Sequence, residues 1–113
     1  MRRLLLTFSN PADPSLEAEY NDWYVARHIP QLLKHVSKIK RAWRYRVDNE
    51  KFDYKYLVIY EFEGNSSELM DEISQRRSEG KVERFATLGS APPPLMIVAH
   101  ALDDGPFSVT NSS

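Results

Sequence analysis

The chain contains no cysteine. Disulfides, thiolate nucleophiles and cysteine-rich metal centres are therefore excluded, and the composition suits a reducing, cytoplasmic compartment. Glycine is scarce, with four in 113 residues, and none falls in a phosphate-cradling or dinucleotide pattern. Histidine occurs three times. No two histidines share the spacing of a metal-binding helix, and no carboxylate lies between His28 and His35, so no metal is expected. The formal charge of -1 gives no basic field for nucleic acid. No apolar run approaches the ~20 residues of a membrane span. Met1-Arg2-Arg3 looks like a signal-peptide start, but the apolar run Leu4 to Phe8 is short and no small-residue cleavage site follows. Two Asn-Ser-Ser triplets, at Asn65 and Asn111, match the glycosylation pattern and are read as chance without a secretory signal.

What is present is an ordinary globular composition, 42% hydrophobic and 27% charged. The length suits one core, and the expected domain runs from 1 to 102, with a polar tail over 103–113. Tyr20 to Pro30, YNDWYVARHIP, stands out. A helix meant only to pack would use more leucine and alanine; this one concentrates aromatic residues with polar groups at their margin. At about 100° per residue, Leu16, Tyr20, Trp23 and Arg27 lie within about 40° of one direction. Tyr24, Asn21 and His28 form an edge beside them, since positions three, four and seven apart share a face. Arg27 is thus expected to point inward, its stem snorkelling or its guanidinium lining a polar cavity.

The remaining pattern predicts the order strand, helix, strand, strand, helix, strand. Arg2 to Ser9 is a nearly continuous apolar strand. Asp13 and Pro14 are suited to cap and start a helix that runs to His28. Pro30 is expected to end or bend it at Ile29 and to start a short helix to Val36. Lys38 to Asp48 alternates between an aromatic face with Trp43 and Tyr45 and a basic face with Arg44 and Arg46. Tyr54 to Glu63 alternates again, so the two make a hairpin in which Arg44 and Arg46 are placed to meet Glu61 and Glu63. Asn65 with Glu68 starts a helix over 66–79, and Gly80 is suited to end it. Its apolar face is thin. Val82 to Gly89 reads as irregular, with a helical turn around Phe85, and the last strand spans Leu95 to Leu102. The simplest architecture is α+β: a four-stranded antiparallel sheet with both helices on one face. The other face is then apolar and bare, more than a monomer normally exposes, so a twofold dimer closing sheet on sheet is expected.

The run Glu19-Tyr20-Asn21-Asp22-Trp23-Tyr24, then His28-Ile29-Pro30 and Leu32-Leu33, is followed by strands carrying Arg44-Tyr45-Arg46 and Tyr56-Leu57 with Ile59-Tyr60-Glu61. Together they resemble the EthD-like branch of the dimeric α/β-barrel superfamily, whose subunits have the ferredoxin-like fold, over residues 2 to 102. The resemblance implies a homodimer with a pocket in each subunit between sheet and helices, and it carries over Tyr24 and His28 as pocket residues. Superfamily members include polyketide cyclases, cofactor-free monooxygenases, an isomerase and accessory proteins of degradative pathways. Relatives carry a Val-Pro-Gly turn after the histidine segment; this chain has Val36-Ser37-Lys38.

His28 is the candidate general acid or base, since an ordinary imidazole titrates near neutrality, and the alternative is a helix-end residue with no chemistry. Tyr24 and Asn21 are placed to hold a developing oxyanion. Tyr20, Trp23, Arg27 and His100 complete the candidate substrate-binding set, with packing as the plain alternative for the two aromatics. The expectation is a cofactor-independent enzyme doing proton-transfer chemistry of the cyclase, isomerase, dehydratase or lyase type on an aromatic or polyketide-like small molecule. The rival is a non-catalytic ligand-binding or accessory protein of an oxygenase pathway.

Overall fold

The computed structural model describes residues 2–84 and 88–109. The helical turn expected around Phe85 and the Asn111 triplet lie outside them. Four strands form one antiparallel sheet: β1 Arg3–Ser9, β2 Ile39–Arg46, β3 Tyr56–Phe62 and β4 Leu95–His100. Their order is β2-β3-β1-β4. The helices are α1 Glu17–Trp23, α2 Ile29–His35 and α3 Ser66–Ser78. The elements therefore follow the βαββαβ order that the alternating periods predict.

Period-two patterning sets which side of each strand meets the helices. Tyr56, Val58, Tyr60 and Phe62 of β3 are all buried, while the residues between them are only partly covered. They form the core with Leu5 of β1, Tyr20, Trp23 and Tyr24, Leu32 and Val36, and Leu69 of α3. On the other side of the sheet Trp43, Tyr45 and Ile97 remain 41%, 51% and 45% exposed. The bare apolar face inferred from the sequence is present.

Local signals hold where the chemistry is local. The Ser15 N–H donates to Asp13 Oδ1 at 2.9 Å, and a 3-10 turn, Pro14–Leu16, leads into α1. The Glu68 N–H donates to Asn65 Oδ1 at 2.8 Å at the start of α3. That helix ends in a Schellman motif: the Lys81 N–H reaches the Arg76 carbonyl, the Gly80 N–H reaches the Arg77 carbonyl, and Gly80 takes φ 76°. Asn65→Ala leaves an orphan donor at the helix start and is expected to lower stability by about 1 kcal/mol in denaturant melts.

Two expectations are corrected. The first is the helix break at Ile29. The backbone stays helical through it, at φ -62° and ψ -47°, because Tyr24–His28 forms a π-turn in which the Ile29 N–H donates to the Tyr24 carbonyl. Widening the ladder there gives Pro30, which has no N–H to donate, a place in the helical path. The second is the hairpin register. Arg44 faces Val58 and Arg46 faces Tyr56, with an irregularity between Ile39 and Arg41. Glu61 is instead paired with Arg41 at 3.3 Å, and Glu63 with Lys40 at 3.8 Å. A bulge near Lys40 changes strand alternation by one residue, so Ile39 is buried while Arg41 and Trp43 lie on the open side.

Candidate functional site

The π-turn lies in the stretch that the sequence marks. Tyr24 and His28 occupy its two ends and both reach the space between helices and sheet. That space is an open cleft of about 550 Å³. Trp23, Tyr24 and His28 form one wall and Tyr60 lies on its floor. Met70, Ile73 and Arg77 of α3 form the second wall, with Glu83, Arg84 and Leu88 beyond it and Met96 of β4 at the mouth.

His28 stacks on Trp23, with ring centroids 4.2 Å apart and planes 20° apart, and meets the Tyr24 ring edge-on at 5.2 Å. Its Nδ1 is buried without a hydrogen-bond partner among the described residues. Burial, and after it the charge of Arg77, push its pKa from 6.5 down to about 4. The imidazole is neutral at pH 7, so it is not held as a charged helix end. Between pH 6.5 and 4 the unfolded chain binds a proton that the folded chain refuses. The stability that His28 withholds in acid is therefore intact above pH 6.5 and lost as pH falls, by about 3 kcal/mol in all at pH 4. Unfolding titrations at successive pH values are expected to show this loss, and His28→Gln to flatten it between pH 6.5 and 4.5.

The tyrosines divide into two groups. The Ser9 hydroxyl bonds to those of Tyr20 and Tyr24, the latter at 3.1 Å. Tyr20 of α1 is fully buried in the core. Tyr24 contributes its ring to the cleft, but its hydroxyl is engaged with Ser9. Tyr60 differs: its hydroxyl is buried with no partner among the described residues. Burial raises its pKa well above 10, so it remains a donor.

Asn21 is turned away from the cleft. Its side chain donates to the Glu17 carbonyl at 3.1 Å and the Tyr56 hydroxyl at 3.3 Å, and accepts from Arg44 at 2.6 Å. The Arg44 guanidinium lies over the Tyr24 and Tyr56 rings, 5.1 and 5.5 Å from their centroids. Arg46 stands 3.7 Å from Glu17. These groups tie α1 to the sheet and leave Arg44 and Arg46 outside the cleft.

Of the residues expected at the site, Trp23, Tyr24 and His28 are brought together. Tyr20 is core, Asn21 is structural, and Arg27 points outward instead of inward. The Arg27 side chain is 59% exposed and pairs with Glu83 at 2.9 Å. Its guanidinium is held at the surface by the Glu83 carboxylate, a partner far along the chain that a helical wheel does not include. His100 shares a strand face with Met96 and Val98, as expected, but is exposed and lines no part of this cleft. Tyr60 and Arg77 were not foreseen. Both carried a signal: Tyr60 lies on the buried face of β3, and Arg77 follows Met70 and Ile73 at seven and four residues, on one helix stripe.

No protein-family model and no curated protein sequence matches the chain. Solved structures do. A DABB family protein from Mesorhizobium loti, described with a ferredoxin-like fold, aligns over 90% of this chain and 98% of its own, at TM-score 0.61 and 15% identity. The fold is ferredoxin-like. An ethyl tert-butyl ether D (EthD) family protein from Bacillus halodurans shares it over 90% of this chain and 99% of its own, at TM-score 0.56 and 11% identity. So does a candidate monooxygenase from Shewanella loihica, over 90% and 95%, at TM-score 0.57 and 11% identity. Within the ferredoxin-like fold the cleft occupies the helical side of the sheet. Among the described residues no helix is long and apolar enough to cross a membrane, and no cluster of three or more histidines and carboxylates is placed to hold a metal.

Proposed function

We propose that this chain is a cytoplasmic homodimer that binds an aromatic or polyketide-like small molecule in the cleft and moves a proton on it without a cofactor. The observation that carries the reading is His28: a neutral imidazole, stacked on Trp23 and edge-on to Tyr24, its Nδ1 without a hydrogen-bond partner among the described residues, on the wall of an apolar cleft. In this reading His28 takes a proton from carbon next to a ligand carbonyl. The Tyr60 hydroxyl then donates to the enolate oxygen, the role first expected of Tyr24 and Asn21. Return of the proton to a different atom gives isomerisation; loss of a leaving group gives elimination; attack of the enolate on a second carbonyl gives cyclisation. The dimer is formed through the open sheet face. The domain is residues 1–102, and the tail from Asp103 stands outside it, with Phe107 and Val109 85% and 92% exposed.

The test is exchange. Small aromatic ketones with an enolisable carbon are incubated with the protein in D2O and followed by proton NMR. Deuteration faster than in buffer, and dependent on His28, supports the enzyme. A second reading has its own support: the cleft is open, and a base with pKa about 4 is weak. Binding without exchange would assign the protein to that reading, a ligand-binding or accessory role.

A further inference from the structure

The cleft holds more positive charge than it neutralises. Arg77 sits on the cleft side of α3 with its Nε buried and unbonded among the described residues. It forms no ion pair there. The charged group nearest in effect is Arg84, another cation of the same cleft, which together with burial makes the Arg77 charge less favourable. Glu83 is the acidic side chain of the lining, and its carboxylate is already bonded to Arg27 at 2.9 Å. A partly buried guanidinium without a counter-ion is costly unless something supplies one. Around it the walls are apolar, with Leu32, Met70 and Ile73.

We infer that the ligand of this cleft is an amphiphilic acid, an aromatic or similarly apolar body bearing a carboxylate that Arg77 holds with its planar fork. A guanidinium matches a carboxylate with two parallel hydrogen bonds, which an uncharged ligand cannot reproduce. The inference rests on the reading of this cleft as the ligand site and adds the ligand's charge to it. It also gives Arg77 a second effect. A bound carboxylate offsets the charge that bears on His28, so the imidazole becomes a stronger base when the ligand is present. The rings against His28, those of Trp23 and Tyr24, are uncharged at neutral pH; the other charged groups of the cleft are Arg84 and Glu83, and Glu83 remains paired with Arg27.

The experiment compares two probes of nearly one shape, 2-naphthoate and 2-naphthamide, in full-length Trp43→Phe protein. Trp23 is then the one tryptophan left to report binding by fluorescence. The acid is expected to bind about 10-fold or more tighter than the amide. Arg77→Gln should erase that preference, weakening the acid far more than the amide; Arg77→Lys, with charge but no fork, should keep part of it. If Arg77→Gln fails to fold by circular dichroism, the Arg77→Lys affinities and the loss of the acid preference at high salt decide. Equal binding of both probes, or a preference that survives Arg77→Gln, overturns the inference while the cleft stands. Ile73→Tyr, which crowds the cleft without adding a tryptophan, should weaken both probes. Binding that ignores Ile73→Tyr, or no binding of either probe, overturns the inference and the cleft together.

Discussion

Exchange of solvent deuterium into an enolisable ligand is expected to fall by about 10²–10⁴-fold in His28→Gln, with ligand affinity largely kept. Glutamine preserves much of the side chain's reach and polarity but has no basic nitrogen. The size of the effect follows from how little else in the cleft can take a proton. Tyr24 and Tyr60 are held protonated by burial, and Glu83 is bonded to Arg27. The shape of the pH profile is a sharper test than its height. Because burial and Arg77 lower His28 to about 4, the base is ready throughout the neutral range. The rate constant kcat/KM should therefore stay level from neutrality toward pH 5 and drop only near pH 4. A drop beginning near 6.5 would mean an ordinary, solvated imidazole, and the buried, stacked geometry would not be the working one. A His28→Gln protein that exchanges as fast as wild type would remove His28 from the chemistry altogether.

The features legible in the sequence were those that short-range physics decides. Alternation located β2 and β3, and apolar runs bounded by turn residues located β1 and β4, each to within about two residues. Asp13, Asn65 and Gly80 marked helix ends because capping depends on a few neighbouring atoms. The site was half legible. Trp23, Tyr24 and His28 could be named because they share one helical stretch. Tyr60 and Arg77 come from distant elements, and only the packing of α3 over the sheet brings them to the same cleft. Arg27 was misplaced because a helical wheel does not include its partner, Glu83, 56 residues further along the chain. Arg44 and Arg46 were assigned to Glu61 and Glu63 by charge alone; the observed pairing sets them against Val58 and Tyr56, and the bulge near Lys40 turns both toward α1. Register and long-range pairing leave little trace in residue periodicity. The proline that accompanies this π-turn was visible. What it could not reveal was whether the chain would break there or widen.

The proposed sheet-to-sheet dimer predicts that Trp43→Asp raises its dissociation constant by about 10³-fold or more. A chain of 13.1 kDa folded as a monomer exposes about 6,400 Å²; this one exposes 7781 Å². Part of the surplus is the tail, and part is the open sheet face, where Trp43, Tyr45, Leu95 and Ile97 surround the partly covered side chains of β1 and β3. The surplus, tail included, is about 1,400 Å², against about 800 Å² that a stable interface covers on each partner. The Arg41–Glu61 pair, at 3.3 Å on that same face, adds a polar contact beside the apolar patch. Aspartate removes an aromatic anchor of the kind that dominates binding energy and places an unpaired carboxylate against apolar surface. Twofold symmetry applies both penalties twice. In the monomer Trp43 is already 41% exposed, so the folded subunit should survive. Sedimentation at micromolar concentration checks the prediction. Wild-type protein sedimenting as a monomer would sink the dimer, and a Trp43→Asp protein that stays dimeric would move the interface to another surface. The cleft opens on the opposite side of the sheet, and none of its lining residues lies on the face that Trp43 occupies. The monomeric variant should therefore still bind 2-naphthoate with nearly wild-type affinity, which would separate assembly from ligand binding.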